Sequence, residues 1–500
     1  MGTNYRVSCI FVYTEMFLCV MLLHFIMSDV SESTDLLYRI DSLARRPYGV
    51  GLLIMVYVSF ILVFWDVYNI AYMLPSAAAE FGISSSSFLY VLPVTTGFAG
   101  YAIGELILGY YGGRIGRRIA ILVALGIAAI GSILTAISEN QIEFSIFRGV
   151  VGLAIGAEIG LASTYLSEIT PSAQRGKVTA GMVIVGFATV LPVGVLGLYL
   201  VPRFPVYGWR ALALLGLVVI VPAFFMSSKF MPESPRWLLK RGRRAEAESQ
   251  IEKMENYVKA KYGKVERVKT KKVPDAVELQ ELSYTQLFRN RKFLGMIILM
   301  FVGWFFFYMP TYGVLTVFPS LFILHGFTVT NSFTYFLISS LGNPVGGILG
   351  FFLTDKVERK YLGAIIGVLL AISLVLWGFS VNPIDFVAAG FTTIFMLGFW
   401  FSIMYTYTAE LFTTEARSTA FGFTDGLGHI GAAIIPYVLL PIALSAGVAG
   451  ISGYTWAFIA PAIFALIAGF SVFTFGPKTK NRRLEEISMA EEVPTRNKTT

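Results

Sequence analysis

The sequence is poor in cysteine and histidine, the residues that most often build disulfides, metal sites and nucleophiles. Its 500 residues include two cysteines, Cys9 and Cys19, both within one apolar run at 8–28, and three histidines without metal-ligand spacing. The rest of the chain therefore offers no disulfide, no thiolate metal site and no cysteine nucleophile. It also lacks a GxxxxGK[ST] phosphate loop, which argues against an ATP-driven pump.

Charged residues are scarce as well. Only 14% of the residues are charged, compared with about 25% in soluble domains, and 56% are hydrophobic. The mean hydropathy of +0.69 agrees with this balance. These values indicate an integral membrane protein, so the net charge of +8 serves membrane topology and does not indicate a nucleic-acid partner.

Apolar runs of about 20 residues, the length that crosses a bilayer as a helix, recur after residue 34. The twelve runs are numbered as helices 1 to 12 in chain order and lie at 50–74, 87–110, 119–137, 143–166, 178–200, 210–230, 293–322, 332–354, 361–381, 386–408, 419–445 and 453–475. We therefore predict an all-α membrane protein with two six-helix halves. The predicted segments are an N-terminal half at 35–231, a linker at 232–292, a C-terminal half at 293–476 and a tail at 477–500.

Two short loops of the first half recur in the second half. Glu168 is followed seven positions later by Arg175, and Glu410 is followed seven positions later by Arg417, an offset of 242 residues (410 − 168). A basic loop cluster recurs at the same offset. The two clusters are Arg114, Arg117 and Arg118, and Lys356, Arg359 and Lys360. This duplication is typical of secondary transporters, which take their energy from a gradient.

Lysine and arginine are unevenly distributed among the predicted loops. The basic loops lie at 111–118, 172–177, 232–292, 355–360 and 477–483, and the loops without lysine or arginine lie at 75–86, 138–142, 324–331 and 446–452. Because short cytoplasmic loops collect these residues, we expect both ends of the twelve-helix core to be cytoplasmic in a plasma membrane. Arg203 is the single exception to this pattern.

Residues 1–34 do not fit this topology. The apolar run at 8–28 contains Glu15 and His24, and a thirteenth helix there would place the N-terminus outside. Three interpretations are open. The run is a signal-like segment, although no clear small-residue cleavage site follows it; it is an extra helix; or translation starts at Met27, which is the interpretation we favour.

Two motifs carry a family resemblance. Residues 109–118 are similar to the GxLaDRxGRR loop signature of the major facilitator superfamily, with a half-repeat at 354–360. Arg148 and the glycines that follow it are similar to the fourth-helix signature of that superfamily. The resemblance covers 35–490 and implies a monomeric twelve-helix transporter that works by alternating access.

Three further motifs resemble one branch of that superfamily, the sugar porters and metabolite:proton symporters. These motifs lie at 165–176, 232–237 and 477–486. Residues 156–168 are also similar to a stretch of phosphate:proton symporters. The chain departs from the loop signature at Gly113, where the family has an aspartate.

The resemblance also directs attention to the first helix. Related symporters carry two carboxylates there; Asp66 is present in this chain, and Asn69 occupies the position that matches the proton-coupling carboxylate of sugar porters. An ionisable residue inside a span costs about 2.5–3.5 kcal/mol, so we expect it to have a task.

Helix 4 supplies the expected partners of Asp66. Glu158 lies ten residues deeper than Arg148, about 15 Å along the helix, and we expect it at the depth of Asp66. Two neighbouring carboxylates cannot easily both ionise, which suits a proton carrier. We predict that Asp66 and Glu158 handle protons and that Arg148 pairs with one of them. The alternative is a fixed ion pair that orients helices 1 and 4.

Residues of both halves are predicted to contact the substrate. They are Asn69, Tyr308, Tyr312, Asp425 and His429. Asp425 and His429 are four residues apart and share a helix face. Tyr308 and Tyr312 flank Pro310, a helix-breaking residue that permits a gating bend. The alternatives are a local hydrogen-bonded pair in helix 11 and interfacial tyrosine anchors in helix 7.

Charged residues at the predicted cytoplasmic ends of both halves are candidate gate elements. They are Arg114, Arg117, Arg118, Glu168, Arg175, Glu233, Arg236, Asp355, Arg359, Glu410 and Arg417. A charge network that forms when this side closes supplies the two-state element of alternating access, although each exposed pair contributes only about 0–1 kcal/mol. Glu105, near the same side, is expected to pair with loop arginines.

The sequence thus predicts a secondary active transporter, a proton-coupled symporter of a small polar organic solute such as a carboxylate or a sugar. Its partners are the solute, protons and the lipid bilayer, and we expect no metal, no cofactor and no enzymatic activity. The alternatives are a phosphate:proton symporter or an antiporter of the same fold, and a nutrient sensor that does not transport.

Overall fold

The computed structural model describes residues 35–227, 231–268, 284–354, 356–412 and 414–480. These residues are almost entirely helical, and they contain no strand beyond two isolated bridges. Twelve of the described helices are long and apolar enough to cross a membrane, which confirms the predicted fold class. The apolar run at 8–28 lies outside the described residues.

The spans are numbered in chain order. Spans 1 to 6 are Val50–Glu80, Phe88–Ile115, Arg117–Ile137, Gln141–Ile169, Gln174–Arg203 and Tyr207–Met226, and spans 7 to 12 are Phe293–Leu324, Val329–Leu353, Arg359–Gly378, Pro383–Leu411, Thr419–Leu444 and Gly453–Phe475. Most agree with the predicted runs to within a few residues. Span 1 continues past its predicted end, through Pro75 to Glu80, because a helix in a membrane bundle tolerates the backbone hydrogen bond that a proline removes.

Several spans contain breaks in the regular α-helix. Span 6 passes through a 3₁₀ segment at Leu215–Val219, and span 7 passes through a π-helical segment at Gly313–Val317, shortly after Pro310. Span 5 is divided at Thr189 and span 8 at Leu341. Such segments re-aim the side chains that follow them and often occur at functional sites.

Spans 2 and 4 touch each other backbone to backbone through glycines. A Cβ atom added at Gly152 would overlap the carbonyl oxygen of Gly97, and one added at Gly156 would overlap the carbonyl oxygen of Tyr101. Small residues at such crossings allow the close approach that holds membrane helices together. This crossing fixes span 4, and therefore Arg148, against span 2.

We expect Gly152→Ala to lower the thermal unfolding midpoint of the purified protein in detergent. The added methyl group has to displace the Gly97 carbonyl, and overpacking of this kind costs about 1–3 kcal/mol. Gly160→Ala is the matched control on the same helix, because nothing lies within 4 Å of its added Cβ. Equal midpoints for the two variants would contradict the close crossing.

Contacts divide the chain into two units. The larger comprises Val50–Leu166, Lys177–Pro232 and Glu281–Thr500, and contains most of each span. The smaller comprises Met1–Gly49, Ser167–Gly176 and Glu233–Gln280. Much of the segment predicted as a linker is therefore folded together with the residues that precede span 1.

The smaller unit has its own apolar core. The helix at 35–41 buries Leu36 and Ile40 against Ile251, which belongs to the helix Arg244–Tyr262. A short helix, Pro235–Lys240, begins at Ser234, whose side chain accepts a hydrogen bond from the Trp237 backbone N–H. Burial of these side chains ties the chain before span 1 to the chain after span 6.

Glu255 joins two basic residues in the smaller unit. Its carboxylate accepts a 2.7 Å hydrogen bond from Arg39 Nη2 and a 2.5 Å hydrogen bond from Arg267 Nη2. Burial alone would raise the pKa of Glu255, but the hydrogen bonds and charges of the two arginines outweigh burial and lower it.

The lowered pKa of Glu255 predicts a pH-dependent stability of this unit. The ionised form is favoured by folding, so the stabilisation is complete above the ordinary glutamate value of 4.5 and is lost as the pH falls through the lowered folded pKa. We expect Glu255→Gln to speed amide exchange over residues 36–43 about fivefold at pH 7, corresponding to about 1 kcal/mol. Acidification below pH 4.5 should remove this difference.

The control for this prediction is Glu248→Gln. Glu248 lies 3.8 Å from Arg39 and is 49% exposed at its side chain, so its loss should change exchange little. A Glu255→Gln effect that persists unchanged in acid would contradict the ionic origin of the stabilisation.

Candidate functional site

The carboxylate of Asp66 is buried in the N-terminal half. Asn69 Nδ2 donates to Asp66 Oδ1 at 2.9 Å, and Ser132 Oγ donates to Oδ2 at 3.4 Å. Arg148 Nη1 lies 3.8 Å from Asp66 Oδ1, and Arg148 Nη2 donates to the Asp66 backbone oxygen at 2.6 Å. Spans 1 and 4 therefore supply a buried ion pair, and span 3 adds the Ser132 hydroxyl. Asn69 links the two charged groups, because it donates to Asp66 and accepts from Arg148 Nη1 at 3.3 Å.

Local structure explains why these groups meet. Asp66 and Asn69 are three residues apart on span 1 and share a helix face. Gly216, in the 3₁₀ segment of span 6, faces the same carboxylate, and a Cβ atom added there would lie 2.9 Å from Asp66 Oδ2. The absence of a side chain at Gly216 leaves room for the ion pair.

Arg148 also lines a small pocket between the spans. The other lining residues are Val67, Ile70, Val94, Gly97, Phe98, Tyr101 and Ile155. Arg148 Nε is buried and has no hydrogen-bond partner among the described residues. One guanidinium thus contacts the Asp66 carboxylate and also faces an otherwise largely apolar pocket with a free donor.

Glu158 does not lie beside Asp66, which corrects the expected common depth. Its Oε1 accepts a 2.8 Å hydrogen bond from Ser59, seven residues before Asp66 on span 1. Seven residues correspond to about 10 Å along a helix, so the two carboxylates lie at different levels. Glu158 is nonetheless fully buried, and its Oε2 has no partner among the described residues.

The four predicted substrate residues of the C-terminal half lie together. The Tyr308 hydroxyl donates to Asp425 Oδ1. The Tyr312 hydroxyl lies 3.1 Å from His429 Nε2, and His429 Nδ1 donates to the Asp425 backbone oxygen at 2.9 Å. Because a carbonyl oxygen only accepts, this contact assigns the Nδ1 proton.

This cluster contacts the N-terminal half. The Tyr101 ring stacks on the His429 ring with centroids 3.7 Å apart, and the Phe98 and Tyr312 rings lie 4.3 Å apart. The Phe98 and Tyr101 side chains therefore line the Arg148 pocket and also contact the C-terminal cluster.

Glu105 belongs to the same cluster, so its expected pairing with loop arginines is wrong. Oxygens of Glu105 and Asp425 and a ring nitrogen of His429 lie within 4.8 Å of one another. The contact joins span 2 to span 11, which are distant in sequence. The only available sequence signal was the presence of a glutamate inside a span, which is itself a functional hypothesis.

Two candidate gate residues of the smaller unit, Arg175 and Arg236, contact Asp41, a residue that no motif indicated. Arg175 Nη2 lies 3.0 Å from Asp41 Oδ1, and Arg236 Nη2 lies 2.6 Å from Asp41 Oδ2. Arg236 Nε also donates to the Glu168 backbone oxygen at 3.1 Å. Glu233 Oε1 accepts from the neighbouring Ser234 N–H.

The repeat loop in the C-terminal half is organised differently. Arg359 Nη2 lies 3.0 Å from Glu410 Oε1. Burial lowers the pKa of the Arg417 guanidinium, and the charge of Glu410 opposes that shift. Glu358 accepts hydrogen bonds from the backbone N–H groups of Thr479 and Lys480, which fixes the chain after span 12.

The remaining candidate gate residues lie near the start of span 3 and in the second repeat loop. Arg117 is the first residue of span 3 and is buried, whereas Arg114 is exposed and lies 5.9 Å from the Tyr111 ring. Arg118 is half-buried. Asp355 lies outside the described residues, so its predicted role stays a prediction.

We expect Asp41→Asn to loosen the helix at 35–41. The substitution removes the carboxylate that accepts from two guanidinium groups, at a cost of about 1–3 kcal/mol. Amide exchange over residues 36–43 should accelerate about 5- to 100-fold. Asp35→Asn is the control, because Asp35 is exposed on the same helix. Equal exchange rates in the two variants would show that Asp41 does not hold the helix.

The twelve spans have the fold of a solved proton:xylose symporter of the major facilitator superfamily. Residues 52–490 match the family model described as "Sugar (and other) transporter". The chain belongs to this family, and it is a multi-pass membrane protein that transports a sugar or another metabolite.

Individual relatives are similar along most of their length. The niacin transporter NiaP of Acinetobacter baylyi is 26% identical over 457 residues, covering 91% of this chain and 100% of that protein. The arabinose-proton symporter of Bacillus subtilis is 28% identical over 427 residues, covering 81% and 87%. The partially occluded inward open structure of the xylose transporter XylE from E. coli shares the fold, with a TM-score of 0.68 and 17% identity over 87% of this chain and 99% of XylE.

Proposed function

We propose that this chain is a proton-coupled symporter of a small polar organic solute, a carboxylate or a sugar, that works by alternating access as a monomer in the plasma membrane. The observation that carries the proposal is the buried Asp66–Arg148 pair beside the pocket. The uneven distribution of lysine and arginine supports the orientation, with both ends of the spans at the cytoplasmic side.

The pair provides a direct coupling of proton and solute. While Asp66 is ionised, it compensates the charge of Arg148. When a proton binds Asp66, Arg148 is left as a buried cation without a counter-charge, which is costly. An oxygen of a solute in the pocket then supplies the acceptor that Arg148 lacks. Proton and solute are therefore bound together, which is the requirement for symport.

Release follows the same steps in reverse. When the pocket opens to a compartment of lower proton concentration, Asp66 loses its proton and again attracts Arg148. The solute oxygen loses its strongest donor and dissociates. Movement of the two halves against each other supplies the opening, and the π-helical segment after Pro310 is the place where span 7 bends.

Glu158 is the second proton-handling group in this proposal. It is buried on the same span as Arg148, about three turns away, and it has one free oxygen. Its hydrogen bond from Ser59 is compatible with either protonation state, because a hydroxyl donates to a carboxyl or a carboxylate. A proton held there is separated from Asp66 and has to be tested separately.

The pocket and the relatives define the solute class to be tested. Arg148 Nε donates equally well to a carboxylate or to a sugar hydroxyl. Phe98 and Tyr101 line the same pocket and add apolar surface to it. Asn69, Tyr308, Tyr312, Asp425 and His429 are proposed to complete the solute contacts. The names of two relatives include niacin, an acid, and arabinose, a sugar.

We expect gradient-driven uptake into proteoliposomes with an alkaline interior for one solute of a panel of acids, sugars and phosphate. Asp66→Asn should abolish accumulation against a gradient and retain solute counterflow, because the neutral amide imitates the protonated carboxyl. Accumulation and counterflow are both measured with radiolabelled solute. Absence of gradient-driven uptake by the unmodified protein across the panel would reject the symport proposal.

Two variants separate the roles within the site. Glu158→Gln tests the second carboxyl by the same pair of measurements. Asp385→Asn removes an exposed carboxylate at the start of span 10 and should leave accumulation unchanged. If Glu158→Gln abolishes accumulation and Asp66→Asn does not, the proton site belongs to Glu158 rather than Asp66.

A further inference from the structure

A second group of titratable side chains lies between spans 2 and 11, apart from Asp66. Oxygens of Glu105 and Asp425 and a ring nitrogen of His429 lie within 4.8 Å of one another. Each of the three residues is at most 7% exposed. Two carboxyl groups this close together in a buried site cannot easily both ionise, so one of them is expected to carry a proton.

Among the described residues, no lysine or arginine compensates the charge of this carboxyl pair. Within the described parts of the chain, neither Glu105 nor Asp425 forms an ion pair with lysine or arginine. Two like charges in a dry site repel each other strongly, so one carboxyl stays neutral. The titratable groups that face the pair are Tyr101 on span 2, Tyr308 and Tyr312 on span 7, Tyr405 on span 10 and His429 on span 11.

Two glycines of span 11 leave room for the Glu105 side chain. A Cβ atom added at Gly426 would lie 3.2 Å from Glu105 Oε2, and one added at Gly422 would lie 3.9 Å from Glu105 Oε1. The two glycines are one helical turn apart and flank Asp425. Glu105 Oε2 has no hydrogen-bond partner within the described residues. The site thus combines close packing with one unsatisfied carboxyl oxygen.

The carboxyl pair spans the boundary between the two halves. Glu105 belongs to the N-terminal half and Asp425 to the C-terminal half, and the same boundary is crossed by a 2.7 Å hydrogen bond from Thr95 Oγ1 to the Ala433 backbone oxygen. Alternating access moves the halves against each other at such boundaries. Separation of the spans would hydrate both carboxyl groups and remove their mutual repulsion.

We propose that Glu105 and Asp425 share one proton across the boundary between the two halves, and that this proton is released when spans 2 and 11 separate. The pair is then a further protonation site, besides Asp66 and Glu158, that responds to the conformation of the transporter. The proton passes from the carboxyl pair to water at the opened boundary. Its contribution to transport rests on the proposed symport, whereas the shared proton itself does not.

Glu105, Asp425 and His429 could also hold a divalent metal ion, which is the rival explanation for this cluster. His429 is already engaged at both ring nitrogens, by the Asp425 backbone oxygen and by the Tyr312 hydroxyl. Asp425 accepts from Tyr308 as well. A metal would have to displace these contacts, whereas a proton retains them. Equilibrium dialysis of the purified protein with Zn²⁺ or Mn²⁺ tests the rival, and stoichiometric binding lost in Asp425→Asn would overturn the proton assignment.

Infrared difference spectroscopy of the purified protein measures the shared proton directly. We expect a carboxyl C=O band that disappears as the pH is raised. Glu105→Gln and Asp425→Asn should each move the titration of the remaining group downward by about one to three pH units, because its like-charged neighbour is gone. The double variant should lack the band, and Asp385→Asn should leave it unchanged. Single variants that leave the remaining titration in place would overturn the shared proton.

Conformational control is tested by cross-linking the two spans. A bifunctional thiol reagent joins the spans in the double variant Thr95→Cys/Ala433→Cys, at residues that contact across the boundary. If separation releases the proton, cross-linking should keep the carboxyl band at a pH at which the untreated protein loses it. An identical titration with and without the cross-link would overturn the conformational part of the proposal.

The transport assay distinguishes this inference from the proposed function. In proteoliposomes, Glu105→Gln should reduce gradient-driven accumulation and retain counterflow. If the unmodified protein shows no accumulation but the infrared titration shifts as expected, the symport proposal fails and the shared proton stands. If the unmodified protein accumulates solute and the infrared band is absent, the shared proton fails and symport stands.

Discussion

A charge buried among membrane-spanning helices has to be compensated by the protein itself, because hydrocarbon offers no water to do so. The Asp66–Arg148 pair meets this requirement in the N-terminal half. Other features of that half depend on it. The glycine crossing of spans 2 and 4 fixes Arg148, and the 3₁₀ segment of span 6 places Gly216, rather than a larger side chain, beside the carboxylate. The packing of spans 1, 2, 4 and 6 therefore depends on this one ion pair.

Most of the fold was predictable from the sequence because it depends on chain-averaged properties. The length of each apolar run and the 242-residue offset do not require knowledge of neighbours. The breaks in spans 6 and 7 were less accessible, since a 3₁₀ or π-helical turn depends on which groups pack beside it. Pro310 indicated a bend in span 7 without indicating its form, and the predicted run ended at residue 74 although span 1 continues through Pro75 to Glu80.

The site was predictable where partners lie at the same level and carry opposite charge, as Asp66 and Arg148 do. Glu158 was misplaced because counting residues along one helix does not show which residue of a neighbouring helix lies at the same level; its partner is Ser59. The contact between Glu105 and Asp425 joins residues 320 positions apart (425 − 105), and no local pattern links them. Asp41 lies outside every motif, although it accepts hydrogen bonds from two arginines that motifs did indicate.

The smaller unit has a consequence for the mechanics of the N-terminal half. It joins the chain that enters span 1 to the chain that leaves span 6, through the contacts of Ile251 and Glu255 with the helix at 35–41. The six spans between these points form a closed loop held by noncovalent bonds. Unlike a covalent cross-link, these contacts are lost on unfolding, so the entropy cost of closing the loop is paid when the chain folds, and that cost grows only slowly with loop length. The two ends of the N-terminal half are thus held together by noncovalent contacts. A force that pulls on these ends has to break the contacts of the smaller unit before it acts on the first or sixth span.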